Sequence, residues 1–222
     1  MGWESYPNLG GEGMKKTFVL AGLVSLLVGC QAEELEVSIS SEQMISAASG
    51  ESEYVEFEAE IGESMSDVDD EKRATIKAIE IVLGKYFPDA DIETKISSDS
   101  YRIEIEGELA LSSSIPRSGA PWFVEVMPQG GNNHLVRLMP SGTFSAFKSE
   151  MADINFMITP DEFQGVDFSI RGSIGTVTFG GAYLNGEPRA FSVLELDGER
   201  HRVSFKEGIW TKTGAGFLFS SE

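Results

Sequence analysis

The chain alternates between apolar and polar positions over most of its length, and that alternation predicts strands. Leu35, Val37 and Ile39 alternate with Glu36 and Ser38; Val55, Phe57, Ala59 and Ile61 alternate with Glu56, Glu58 and Glu60. Successive side chains of a strand point to opposite faces, so each run has one buried and one acidic face. Tyr101, Ile103, Ile105, Leu109 and Leu111 repeat the pattern against Arg102, Glu104, Glu106 and Glu108, with Ile92–Ile96 as a partner strand before the turn Ser97–Ser100. One long stretch switches to helical spacing. Ile76, Ile79, Leu83 and Tyr86 share a face, widened by Ala74, Ala78 and Val82, and the pattern predicts a helix over about 67–87. Ser66 is its expected N-cap, Asp67, Asp69, Asp70 and Glu71 suit the positive end of its dipole, and Pro88 stops it. A shorter helix is expected over Ser41–Ser49.

Ser112–Ala120 is a polar loop, and beyond it the pattern is almost wholly β. Strands are expected at Trp122–Met127, Leu135–Met139, Ile154–Ile158, Val166–Ile170, Ile174–Phe179, Ile209–Thr211 and Gly216–Phe219. Pro128–His134 reads as a long turn, and Thr143–Met151 slightly favours a short helix. Asn185-Gly186 and Asp197-Gly198 carry the signal of two-residue hairpins, in which both central residues take positive φ. The second of these is expected to join Phe191–Leu196 to Arg200–Phe205. The fold class expected is therefore β-rich α+β. A small α+β unit over 35–112, an antiparallel sheet covered by the 67–87 helix, precedes an all-β sandwich or open barrel over 121–222; the two are separate units or one continuous domain.

The segment before Leu35 has a different character. Lys15 and Lys16 precede the apolar run Phe18–Leu27, whose ten residues would rise about 15 Å as a helix, half the thickness of a hydrocarbon core. That length suits the core of a secretory signal over 14–29. Leu27-Val28-Gly29-Cys30 then resembles the lipobox of bacterial lipoproteins. The resemblance implies cleavage between Gly29 and Cys30, acylation of the Cys30 thiol, and a lipidated tether over 30–34. One acyl chain anchors marginally, whereas two or three hold firmly. Gln31 after the lipidated cysteine implies the outer membrane rather than the inner one. The following residues, Cys30-Gln-Ala-Glu-Glu-Leu-Glu-Val-Ser-Ile39, resemble the mature start of small, uncharacterised lipoproteins of Gram-negative bacteria and some of their phages. Met1–Gly13 does not fit a signal peptide, and Met14 is expected to be the true start, with Gly10-Gly11-Glu12-Gly13 reading as a translated ribosome-binding site.

Charge narrows the partners. The chain has 36 acids and 17 bases, a net charge of −19. It would be repelled by nucleic acid and by anionic headgroups, so the lipid on Cys30 would have to hold it at the membrane. The charge is that of a solvated surface, or of a protein meeting a basic or polyamine-like partner. Cys30 is the only cysteine, so no intramolecular disulfide forms.

Catalytic signals are lacking. His134 and His201 sit in no metal-binding motif, and no nucleophile elbow or phosphate-binding loop is present. Asp67, Asp69, Asp70 and Glu71 lack the glycine and distal glutamate of a calcium loop. The carboxylates of 51–60 and 104–108 alternate with core residues, as a solvated sheet face does. No catalytic residue, metal or cofactor is assigned. Trp122, His134, Tyr183 and Trp210 are the candidates for an exposed binding surface. The leading expectation is a membrane-anchored, non-enzymatic binding domain with an envelope protein as partner. The alternatives are an envelope hydrolase acting on glycan or lipid, and a structural, assembly or phage-exclusion lipoprotein.

Overall fold

A computed structural model describes residues 31–64, 68–155, 159–206 and 215–221. The chain order is β1 (Gln31–Ser40), α1 (Ser41–Ala48), β2 (Glu53–Ser64), α2 (Asp70–Tyr86), β3 (Asp91–Ile96), β4 (Ser100–Ser112), β5 (Trp122–Gly130) and β6 (Asn133–Pro140). It continues with α3 (Phe144–Ile154), β7 (Thr159–Arg171), β8 (Thr176–Leu184), β9 (Glu187–Glu195), β10 (Arg200–Lys206) and β11 (Gly216–Ser220).

Nine of the strands close into a barrel, in the order β10-β7-β1-β2-β4-β5-β6-β11-β8, and β8 returns to β10. Of the two expectations for 121–222, a sandwich or an open barrel, the structure departs from the first and closes the second, drawing in strands of 35–112 as well. Alternation has the same period in both, so the difference lies in which edges meet. One edge of β8 is occupied throughout by β9; its other edge meets β11 at Thr178 and Val177, then β10 at Tyr183 and Leu184. That shared edge is the seam of the barrel. β3 adds to β4 outside the ring, and β9 adds to β8. Strands from 35–112 and from 121–222 lie side by side in the ring, through the parallel pairs β1–β7 and β4–β5.

The apolar residues of each strand face inward. Leu35, Val37, Phe57, Ile61, Ile103, Ile105, Val166, Phe168, Val203, Phe217 and Phe219 are all buried, while Glu56, Glu58 and Glu106 are exposed. This is apolar-in and charged-out, the reverse of a barrel whose outer face meets lipid.

The helices also differ in placement from the expectation. α2 begins at Asp70, and its N-cap is Asp69, whose carboxylate accepts from the Lys72 N–H at 2.9 Å; Ser66 lies outside the described residues. Its main neighbours are α3 and β3 rather than a broad sheet face. Rolling the sheet into a barrel turns its apolar face onto the barrel's own side chains, which removes the flat surface a helix would cover. α2 and α3 instead meet through aromatics. Phe147 of α3 lies 5.2 Å from Tyr86 and 5.6 Å from Trp122, and Phe87 stands 5.5 Å from both Phe57 and Trp122. α1 follows β1 directly and packs on β1, β2, β4 and β5; Ser40 caps it with Gln43 in a capping box.

Two turns correct the sequence reading. β5 and β6 run on to Gly130 and Asn133, so the long turn expected over Pro128–His134 shrinks to Gly131-Asn132. Asn185-Gly186 is the expected hairpin, with φ of 50° and 86°, and joins β8 to β9. Asp197-Gly198 is not one: β10 pairs with β7 and β8, and β9 with β8. Only Gly198 of that pair has positive φ, and its N–H donates to the Gly172 carbonyl at 2.7 Å. Ile154 ends α3, and the expected strand residues Phe156, Ile158 and Ile209–Thr211 lie outside the described residues.

Candidate functional site: a carboxylate wall

The outward glutamates of β1, β2 and β4 fall into register. One row runs Asp167, Glu36, Glu58, Glu106, Asp91 across β7, β1, β2, β4 and β3, each residue directly opposite the next. A second runs Glu34, Glu60, Glu104, Glu93, and Glu56 faces Glu108 beyond the first. Neighbouring strands stand about 4.8 Å apart, and like charges directly opposed cost roughly 0.2–1 kcal/mol per pair. The rows border an open groove of about 290 Å³ lined by Glu34, Glu36, Glu58, Glu60, Glu104 and Glu106.

Three bases offset part of this charge. Lys95 lies 2.6 Å from Glu104 and 3.5 Å from Glu93, and Arg102 lies 2.9 Å from Glu60, so the second row is largely neutralised. Arg202 serves one end of the first row. Its Nε and Nη2 both donate to Asp167 Oδ2, the former at 2.6 Å, and Nη2 lies 3.3 Å from both Glu34 and Glu36. Glu58, Glu106 and Asp91 form no ion pair among the described residues. The first row is therefore compensated at one end and bare along the rest.

Asp167 is the buried member of the wall, with 3% of its side chain exposed. Its Oδ1 has no hydrogen-bond partner among the described residues. Burial raises the Glu34 pKa, the negative Asp167 beside it raises it further, and Arg202 and Lys206 partly oppose this. A carboxyl with a raised folded-state pKa binds more protons folded than unfolded, so its contribution to stability falls as pH rises through that pKa and returns on acidification.

Arg202→Ala is expected to cost roughly 2–4 kcal/mol, because it strands the Asp167 carboxylate; the half-exposure of Arg202 keeps the loss below that of a fully buried pair. The double variant Arg202→Ala/Asp167→Ala should recover most of that loss in urea unfolding. Additive losses would mean that the two side chains do not depend on each other.

Among the described residues, the candidates for an exposed surface are not brought together. Trp122 is 1% exposed and belongs to the core, as do Phe123 and Phe217. His134, half-buried, lies at the far end of the β5–β6 ladder, about 20 Å along it from the Trp122–Pro140 pair. Tyr183 is 36% exposed on β8, with Lys206 Nζ 5.6 Å from its ring centroid. Gly29, Cys30 and Trp210 lie outside the described residues. His201 is nearly buried, its Nε2 3.1 Å from Asp197 Oδ1, and no hydroxyl among the described residues bonds its ring. That pair braces the turn before β10, where Asp197 also accepts from the Glu199 N–H at 3.0 Å.

No protein-family model and no curated protein matches this chain. Function therefore has to be argued from the wall itself. Asp167 and Arg202 are the members that alternation alone did not single out. Asp167 reads as one more polar residue between Val166 and Phe168, and its importance comes from a parallel pairing with a strand far away in sequence.

Proposed function

We propose that the chain is a lipid-anchored protein of the cell envelope, favouring the outer membrane, whose barrel binds a basic partner protein without catalysing a reaction. The lipobox at Cys30 supports the anchor. The filled barrel interior supports action through the outer surface rather than through a lumen. The observation that carries the reading is the row Glu58–Glu106–Asp91, which forms no ion pair among the described residues. A cationic surface laid along it would relieve repulsion that the fold otherwise bears, and the field of the wall would steer such a partner's approach.

The geometry narrows the partner further. Rungs about 4.8 Å apart match a helix with Lys or Arg at i, i+3 and i+4, whose Cβ atoms lie about 5–6 Å apart. The wall also begins close to the anchor. Glu34 is four residues after Cys30, within about 14 Å of extended chain, so the docked partner would lie near the membrane surface.

A photo-reactive residue at Glu108, beside the bare row, tests this in intact cells. It is expected to capture a discrete basic protein, whereas the same residue at exposed Asn132, on the β5–β6 turn, should not. Glu58→Gln/Glu106→Gln should abolish the adduct. Equal capture from both positions, or an adduct that survives neutralisation, would refute the wall as the docking face.

A further inference from the structure

The ring hides most strand edges, but β9 keeps one open. It pairs with β8 through one edge, from Glu195↔Thr176 to Glu187↔Leu184, and no described strand meets the other. Glu187–Phe191 is exposed residue by residue, while β8 beside it is held to β10 through Tyr183 and Leu184, so β9 forms an open flap edge on the barrel. Phe191 is 68% exposed and Val193 58%. An open edge is normally blunted by lysines, inward charges or a bulge; here Pro188 and Arg189 guard one end and two large apolar residues occupy the middle.

The order of residues along that edge is self-complementary. Pairing β9 antiparallel with a second copy of itself about Ser192 puts Arg189 opposite Glu195, Phe191 opposite Val193, and Ala190 opposite Leu194. Each of these contacts occurs twice, as a two-fold axis requires. The odd residues share one face, so that face of the joint would read Arg–Phe–Val–Glu against Glu–Val–Phe–Arg. Shifting the centre by one residue, to Phe191 or Val193, brings Arg189 opposite Val193 or opposite Asp197 beyond the strand's end, and leaves one central Phe191–Phe191 or Val193–Val193 pair in place of two Phe191–Val193 contacts. In the single chain Arg189 Nη2 holds Glu187 at 2.6 Å. Both side chains are well exposed, so exchanging that contact for Glu195 of the other copy costs little. Glu195 forms no ion pair among the described residues.

We infer that β9 is a self-association edge, through which two copies of the chain join their sheets antiparallel about Ser192. The dimer axis then passes beside the β8–β9 hairpin; β8, β10, β7 and β1 lie between β9 and the bare glutamates of β2 and β4, so each copy keeps that part of its wall free. The inference stands on β9 alone and does not depend on the function proposed above.

Ser192→Cys in the full-length protein carrying Cys30→Ser, so that 192 is the only thiol, tests the register, because only at the two-fold does a residue meet its own copy. Mild oxidation is expected to give a disulfide-linked species of twice the chain mass, while Glu108→Cys, also exposed but on the wall, gives none. Arg189→Glu turns both end contacts repulsive and should cut the Ser192→Cys dimer about tenfold, and Arg189→Glu/Glu195→Arg should restore it. A cysteine at 192 that stays monomeric, that links to a different protein, or that dimerises equally well in the Arg189→Glu background would overturn the inference. Circular dichroism of each variant separates loss of pairing from loss of fold.

Discussion

Trp122→Ala is expected to lower the stability of the folded chain by about 3–5 kcal/mol, the largest loss for any single substitution considered. Trp122 is 1% exposed and touches Phe87 and Phe147, with ring centroids 5.5 and 5.6 Å away. Phe147 belongs to α3, Phe87 ends α2, and Phe57 on β2 completes the group. Truncation would therefore leave a cavity where two helices and two strands meet, with few small side chains able to relax into it. Trp122→Phe keeps an aromatic ring and should cost much less. Urea unfolding followed by circular dichroism measures both. A loss below about 1 kcal/mol for Trp122→Ala would show that the aromatic group is not an organising contact.

Cys30→Ser is expected to move the protein from the membrane fraction to the soluble one and to remove metabolic labelling by a clickable fatty acid. A hydroxyl cannot form the thioether that carries the acyl chains, and each buried CH₂ contributes about 0.8 kcal/mol, so losing the anchor outweighs any residual affinity of the surface for lipid. A chain of net charge −19 gains nothing from anionic headgroups, which repel it. Wild-type and Cys30→Ser proteins that fractionate alike would remove the envelope location and the partner argument built on it.

Much of the local structure was legible because alternation reports one property faithfully, namely which residues share a face. Leu35, Val37, Phe57 and Ile105 were read as buried and Glu36, Glu58 and Glu106 as solvated, and the structure agrees. Closure of the ring was not legible. It depends on β1 lying parallel to β7, with Val37 beside Phe168, and on one edge of β8 spanning a seam. Neither pairing leaves a local trace, since a strand looks the same whichever neighbour it meets. The two hairpin signals show the same limit. Asn185-Gly186 had a partner strand within reach on both sides, whereas β10 is claimed by β7, and Asp197-Gly198 became a braced crossover. At the helix start, Asp69 outcompeted Ser66 as a cap within a run of acidic residues equally able to serve.

The wall was half legible for the same reason. Its carboxylates were visible as the polar half of the strand pattern, and a solvated face accounted for them one strand at a time. Only the register turns separate glutamates into a continuous row, and only the β7 pairing adds Asp167 and Arg202 to its end. Trp122 alternates with Val124 and Val126, which is the pattern of a core position, but a tryptophan at the end of a strand after a polar loop fits a core and an exposed surface equally well. Burial under α2 and α3 decides its role.

The central claim is that the bare row binds cationic protein, and calorimetric titration of the full-length protein in uncharged detergent micelles tests it most directly. The titrant is a helical peptide with Lys at i and i+4, run beside a peptide with Gln in place of each Lys. The account predicts saturable binding of the Lys peptide, weakening steeply as salt is raised, and at least about tenfold weaker for Glu58→Gln/Glu106→Gln. Equal affinity of the wild type and the neutralised variant, or equal binding of the Gln peptide, would contradict it.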